Sequence, residues 1–220
     1  MLGLVHMEGA TEGLLLDSLG FEEGQIFETI VTTMNPDGSV NAAPMGVVRT
    51  GHGILEVKPF RSSSTYRNLL SRPEACVNVT DDPSLFLVTA FKEEELRGFE
   101  EPSLDGIRLR DADAYVFISV RDLDDSEGRG RFTCNVDSVE MGEAGPRPFN
   151  RGRAQVIEAV IHATRIEYLY KNGRTDEGEE LVRRFGVCKD VVGRVTTPDS
   201  VEERVIGELE RLIQGWRGRP

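Results

Sequence analysis

The chain has 220 residues, 39% hydrophobic and 29% charged, with 26 Lys and Arg against 38 Asp and Glu for a net charge of −12. That balance fits a globular protein rather than a disordered one, and no Lys/Arg block supplies the basic stripe that nucleic-acid binding needs. The same acidity repels anionic lipid surfaces, and no apolar run approaches the roughly 18 residues of a spanning helix, so no membrane partner is expected.

Residues 1–23 read as an N-terminal tail. Its Leu14-Leu15-Leu16 run follows Glu8 and Glu12 rather than Lys or Arg, which is not the pattern of a secretory signal. Cys76, Cys134 and Cys188 are odd in number, far apart and without a CxxC. Buried free thiols in a reducing compartment explain them, and a cytoplasmic location is expected.

The first strand is IFETIVTTM, Ile26 to Met34, β-branched and apolar. Asn35-Pro36-Asp37-Gly38 turns the chain back into SVNAAPMGVV. Pro44 has no N–H for a ladder, so an edge or a bulge is expected at Pro44-Met45-Gly46, leaving backbone groups for a ligand. A third strand, Ile54 to Lys58, leads to a short helix with Ser62, Ser63 and Ser64 as candidate caps and Pro73 as its stop. In ACVNVTDD, Ala75, Val77 and Val79 face one way and Cys76, Asn78 and Thr80 the other. Leu85 to Phe91 (LFLVTAF) reads as a strand after the Asp82-Pro83 turn. Lys92 to Asp113 reads as an acidic surface excursion with one helical turn.

Two strong strands, Tyr115 to Leu123 and Phe132 to Met141, form a hairpin through DDSEGRGR. The Gly/Pro loop GEAGPRP leads to an expected last strand, Ala154 to Ile161. After His162 the period becomes helical. A short helix at Ile166, Leu169 and Tyr170 stops at Asn172-Gly173, and a second carries Leu181, Val182 and Phe185. A third is capped by Thr197 with Pro198 at its first position, its apolar stripe running from Val201 to Trp216. These elements predict a mainly β, α+β fold: an antiparallel barrel of six to seven strands, a short helix after the third strand and a helical C-terminal region.

The chemistry concentrates in PFRSSSTYRNLL, Pro59 to Leu70. A helix N-terminus offers unpaired N–H groups and partial positive charge. Four hydroxyls (Ser62, Ser63, Ser64, Thr65) with Arg61, Arg67 and Asn68 suit a phosphate monoester. In NAAPMGVV the main chain beside Met45-Gly46 can face a flat heteroaromatic ring, though an edge-strand bulge would look the same. Asn78 and Thr80 are polar on a core strand, and either a neighbouring strand or a ligand can satisfy them. Glu158 and His162, placed on one strand, would be roughly 13 Å apart at about 3.3 Å per residue, too far for an acid–base dyad. The three histidines, His6, His52 and His162, show no metal-ligand spacing, and no GxGxxG, P-loop or GxSxG occurs.

In this order and spacing, IVTTMNPDGSVNAAPMG, PFRSSSTYRNL, VNVTDDPSLF and VIEAVIHATRIEYL resemble the FMN-binding split-barrel superfamily. The likeness is to its largely archaeal branch with an extra C-terminal helical region, and it spans about Gly24 to Ile213. The resemblance implies a split-barrel FMN-binding domain over 24–162 and a helical region over 163–220. It implies FMN, with its phosphate and ribityl chain at Arg61, Ser62, Ser63, Thr65 and Asn68. The ring would lie along Ala43, Met45, Gly46 and Val47, with Asn78 and Thr80 beside it, at a homodimer interface. Many flavin reductases of this fold carry a basic residue where Ser62-Ser63-Ser64 stands, so phosphate charge would rest on Arg61 with help from Arg67. The implied function is an FMN-dependent oxidoreductase reducing a small conjugated molecule, a pterin being the class the resemblance suggests. A non-catalytic flavin carrier or sensor, or the same fold with a deazaflavin coenzyme, stays open.

Overall fold

The computed structural model describes residues 12–92, 95–96, 100–103, 106–127, 129–142 and 151–218. Two compact units form, one from Met1–Thr80 with Glu93–Ala144 and one from Asp81–Lys92 with Gly145–Pro220.

The first unit holds the helix α1 (Glu12–Ser18), the strands β1 (Ile26–Met34), β2 (Val40–Gly51) and β3 (Ile54–Val57), the helix α2 (Ser64–Ser71) and β4 (Glu74–Val79). It continues with β5 (Glu100–Ser103), β6 (Gly106–Leu109), β7 (Ala114–Glu127) and β8 (Arg129–Met141). Six strands close into a barrel in the order β1-β2-β3-β8-β7-β4, and β5-β6 form a separate two-stranded hairpin. Every ladder is antiparallel, so the expected fold class holds with six barrel strands. The expected excursion from Lys92 to Asp113 therefore includes a hairpin, and the GEAGPRP loop lies, beyond Gly142, outside the described residues.

The barrel interior follows from strand alternation. Val31, Val47, Leu55, Val57, Val77, Val116, Ile118, Phe132 and Cys134 are sealed inside, with Ala75 beside them. Cys76, Tyr115 and Phe117 form a smaller cluster on the opposite face, so the predicted division of β4 is correct. The Asn35–Gly38 turn also forms as read: the Asn35 N–H donates to the Ser39 carbonyl at 2.8 Å, and Gly38 takes φ 85°. Pro44 marks an edge rather than a bulge. The β1–β2 register runs unbroken through Ile30↔Pro44, while β3 pairs with β2 only from Val47 onward. Proline's missing N–H is tolerated because the other side of β2 has no ladder there.

The second unit is helical: α3 (Pro83–Phe91), α4 (Arg151–Lys171), α5 (Thr175–Val195) and α6 (Val201–Arg217). Two expected strands are corrected here. Leu85–Phe91 belongs to α3, whose Asp82 cap accepts from the Ser84 N–H at 2.8 Å with Pro83 in the first turn. Ala154–Ile161 belongs to α4, and the short helix expected at Ile166–Tyr170 is its last part. The third expected helix starts later than read: Ser200, not Thr197, caps α6, accepting from the Glu203 N–H at 3.2 Å. Val156, Ala159, Val160, Ala163 and Ile166 form the buried stripe of α4, facing Phe185, Cys188 and Val192 of α5 and Val205, Leu209 and Ile213 of α6. The Phe91 and Trp216 rings meet at a tilt of 45°, 5.7 Å between centroids.

Cys76, Cys134 and Cys188 are free and buried. Burial, with the Asp137 charge adding to it, pushes the Cys134 thiol up to about 12. No helix among the described residues is long and apolar enough to cross a membrane.

Candidate functional site

The segment between β3 and α2 is a tight, polar turn. Ser63 caps α2: its Oγ accepts from the Tyr66 N–H at 3.2 Å and donates to the Phe60 carbonyl at 2.7 Å. Its own N–H also reaches the Phe60 carbonyl, at 2.9 Å. Of the first-turn amides, that of Tyr66 is thereby taken, and the earlier ones have no acceptor within the helix. Arg67 folds back over this end, donating to the Ser62 carbonyl at 2.8 Å and to Ser64 Oγ at 3.1 Å.

Two sets of contacts border the turn. On one side Tyr66 meets Phe132 edge-on at 5.5 Å, and a Cβ at Gly130 would collide with the Tyr66 ring. The Tyr66 hydroxyl donates to Asp125 Oδ2 at 3.0 Å, and the Arg61 Nε donates to Asp125 Oδ1 at 2.8 Å. Burial, then the hydrogen bond to Asp125, raise the Tyr66 phenol above its ordinary 10.0. On the other side lies a buried amide–hydroxyl network. Asn41 Nδ2 donates to Thr33 Oγ1 and to Thr65 Oγ1, both at 3.0 Å. Asn68 Nδ2 donates to Thr33 Oγ1 at 3.1 Å and to Asn35 Oδ1 at 2.8 Å.

The structure thus brings Arg61, Ser62, Ser63, Thr65 and Asn68 to one helix start but divides their roles. Thr65 and Asn68 are buried, at 1% and 2% exposure, and hold α2 to the β1–β2 hairpin. Ser62 and Arg61 face solvent, with Ser64 half-buried. Lys58 and Arg131 flank the turn, both paired with Glu56 at 2.7 and 3.6 Å. The Arg129 guanidinium covers the exposed Phe60 ring at 3.8 Å. Lys58, Arg61, Arg67, Arg129 and Arg131, scattered in the sequence, gather here against a chain charge of −12.

The strand candidates divide by pleat. Val47 is sealed in the barrel interior and Met45 packs against the same core, with Ala43 on their face by alternation. These residues offer a ligand main chain rather than side chain, and the Met45 carbonyl already accepts from Thr29 Oγ1 at 3.1 Å. Gly46 lies on the outer face, where a Cβ would come within 2.8 Å of Ile26 Cγ2. Asn78 lies in register with Ile30, which pairs with Pro44. Two strand spacings of about 4.8 Å separate it from β2. Neighbouring strands satisfy it: Nδ2 donates to the Ile30 carbonyl at 2.9 Å and Thr32 Oγ1 at 3.2 Å, and Oδ1 accepts from the Leu109 N–H at 2.8 Å. Thr80 is buried just past the end of β4.

Glu158 and His162 are not strand neighbours. One helical turn apart on α4, they meet at 3.4 Å, and His162 lies within the helix rather than at its start. Burial lowers the His162 imidazole below its ordinary 6.5. Glu158 opposes that shift, and Arg165 and Arg184 add to it. Among the described residues no group of three or more His, Cys, Asp and Glu is placed to hold a metal ion; His6 lies outside them.

Sequence reasoning missed Asp125, Asn41, Thr33 and Tyr66. Asn41 and Thr33 carried a weak signal, as polar residues within apolar strands. Asp125 lies 64 positions from Arg61, and nothing local announces that pairing.

Residues 27–143 match the family model described as the N-terminal domain of a protein of unknown function, DUF447. The fold is similar to the crystal structure of an FMN-bound protein from Methanosarcina mazei assigned to the same family model. That match has a TM-score of 0.74 and 25% identity, covering 90% of this chain and 99% of the other. It is also similar to the flavin reductase HpaC in complex with NADP+, with a TM-score of 0.50 and 18% identity over 61% of this chain and 90% of that one.

Proposed function

This chain belongs to the DUF447 family, and on that premise we propose that it binds FMN and works as an FMN-dependent reductase of a small conjugated molecule. The observation that carries the reading is the match over 90% of the chain to an FMN-bound structure of the same family model.

The residues present fit the group. The α2 amides that lack an acceptor within the helix, the Ser62 and Ser64 hydroxyls, and the Arg61 and Arg67 guanidinium groups form a donor set suited to a phosphate monoester. Thr65 and Asn68 act one layer back, holding that helix start in place through Thr33 and Asn41. The main chain of Ala43, Met45 and Gly46, where the second edge of β2 has no ladder with β3, would border the ring, with Val47 at the point where that ladder begins. Bound flavin supplies hydride acceptance and donation, for which no protein acid or base is strictly required. The chain's part is to bind, orient and exclude water. Exposed Ile26 and Phe60, at 69% and 54%, support a homodimer in which a second copy covers the ring.

The test starts from the purified protein: acid should release FMN, and light scattering should give twice the chain mass. Flavin fluorescence titrations should then show Arg61→Ala weakening FMN about tenfold, one charge-assisted contact, with riboflavin unchanged. Equal affinity for FMN and riboflavin would remove the phosphate site. Release of a deazaflavin would replace the cofactor. A protein that holds FMN but is reduced by neither NAD(P)H nor reduced deazaflavin in stopped flow, with pterins among the acceptors tried, is a carrier.

A further inference from the structure

We propose that Asp125 is an internal anion that occupies Arg61 when no phosphate is bound, and so sets the affinity and phosphate selectivity of the site. This rests on the FMN-phosphate reading above.

Both carboxylate oxygens of Asp125 have donors from the candidate phosphate turn. Arg61 Nε reaches Oδ1 at 2.8 Å, and the Tyr66 hydroxyl reaches Oδ2 at 3.0 Å. Arg61 Nη2 adds a bond to the main-chain carbonyl of the same residue. A guanidinium edge and an O–H converging on an anion at a helix start is the arrangement a phosphate would receive there. In this structure a side chain receives it.

Three features make Asp125 a competitor rather than a structural strut. The pair is open to solvent, with 44% of the Arg61 side chain and 42% of the Asp125 side chain exposed, so it adds little to stability and little is lost when it parts. Asp125 also stands outside the regular ladder. Asp124 pairs with Arg131 and the next pair is Glu127 with Arg129, so the ladder among the described residues gives Asp125 no cross-strand pair. Its negative charge, if it stayed beside a phosphate, would repel it, and Arg61 cannot serve both anions along one edge. Arg67 shows the contrast: its guanidinium binds a carbonyl and a hydroxyl, both neutral.

The consequence is an exchangeable ligand. When phosphate leaves, Asp125 takes the guanidinium back, so dissociation does not strand a bare charge. Riboflavin, which has no phosphate, competes with nothing here and is insensitive to Asp125.

The experiment measures Kd for FMN and for riboflavin by flavin fluorescence on the full chain, in wild type, Asp125→Asn, Arg61→Ala and the double variant. Asn keeps the shape and the acceptor for Arg61 while removing the charge, and matched thermal melts check that the variants fold. The expected result is FMN bound about three- to fivefold tighter and released more slowly by Asp125→Asn, as removal of an exposed competing pair predicts. Riboflavin should stay within about twofold, and the gain should vanish in the Arg61→Ala background, as a coupled pair requires. Unchanged or weaker FMN binding by Asp125→Asn overturns the proposal. If Arg61→Ala still weakens FMN selectively in that case, the phosphate reading survives; if Arg61→Ala changes nothing, both fall together.

Discussion

Asn78 in the barrel unit and His162 in the helical unit are both sealed from solvent, at 0% and 6% exposure, and they meet burial in opposite ways. Asn78 uses both ends of its amide, joining β4 to a carbonyl and a hydroxyl on β1 and to an N–H at the end of β6. His162 reaches Glu158 through Nε2, while its Nδ1 is buried with no hydrogen-bond partner among the described residues. The network at Thr33, Asn41, Thr65 and Asn68 repeats the barrel's pattern. A closed barrel brings strands from distant parts of the sequence within hydrogen-bond reach, so a buried amide finds backbone on two sides. A helix satisfies its own backbone, so a polar side chain between helices must rely on the few side chains that face it.

Breaking the saturated side should give the largest effect. Asn78→Leu keeps the volume but leaves the Leu109 N–H and the Ile30 carbonyl without this partner. Each buried unsatisfied group costs about 1–3 kcal/mol, so a loss of about 3 kcal/mol is expected in urea unfolding followed by circular dichroism. Hydrogen exchange should rise first in β4 and β6. A loss below about 1 kcal/mol would mean that the amide is ornamental and the contrast with His162 empty.

The intermediate effect tests whether the helical unit can satisfy a charge as well. Arg153 on α4 reaches Asp81 at 3.2 Å and Glu202, at the start of α6, at 3.3 Å. Glu202 is nearly buried, at 9% exposure, so Arg153→Met strips a buried carboxylate of its partner. With 51% of the Asp81 side chain still in water, the expected loss is about 2 kcal/mol, below the range for fully buried pairs. Trp216 is the only tryptophan in the chain and lies on α6, so its fluorescence reports on this unit. An unchanged tryptophan melt would show that Arg153 is dispensable there.

The barrel was far more legible in the sequence than the helical unit, for a related reason. Strand alternation and the Asn35–Gly38 turn are local signals, and β1, β2, β3, β4, β7 and β8 were each anticipated. Helix α3 was misread because LFLVTAF is apolar on every side, and a short buried helix has no period to distinguish it from a buried strand. The Asp82 cap and Pro83 that mark its start also suit a turn. In α4 the stripe at Val156, Ala159, Val160, Ala163 and Ile166 was hidden by β-branched neighbours, and that error separated Glu158 from His162. For α6, Ser200 with Glu203 three residues on carried the correct start, yet Thr197-Pro198 was the louder signal. At the candidate site the hydroxyl-rich turn was plain, whereas the engagement of Thr65, Asn68 and Asn78 within the fold, and of Arg61 with Asp125, depends on strands brought together by closure.

The smallest effect belongs to His162, and it should depend on pH. Burial lowers the imidazole below 6.5 in the folded protein, so between that lowered value and 6.5 the unfolded chain holds more protons than the folded one. Stability therefore rises with pH through this window, is level above it where both states are neutral, and falls as pH drops below 6.5. One proton limits the slope to about 1.4 kcal/mol per pH unit. Glu158 on α4 favours the proton, while Arg165 on α4 and Arg184 on α5 disfavour it. Cys188 on α5, its thiol raised mainly by burial, is neutral there and adds no charge. His162→Leu removes both the titration and the buried Nδ1, which has no partner among the described residues. Its tryptophan-detected stability should match or exceed that of wild type at pH 5.5, and the gap should narrow by pH 7.5. A gap that does not change with pH would show that His162 is protonated equally in both states. The helical unit would then satisfy its buried histidine as fully as the barrel satisfies Asn78.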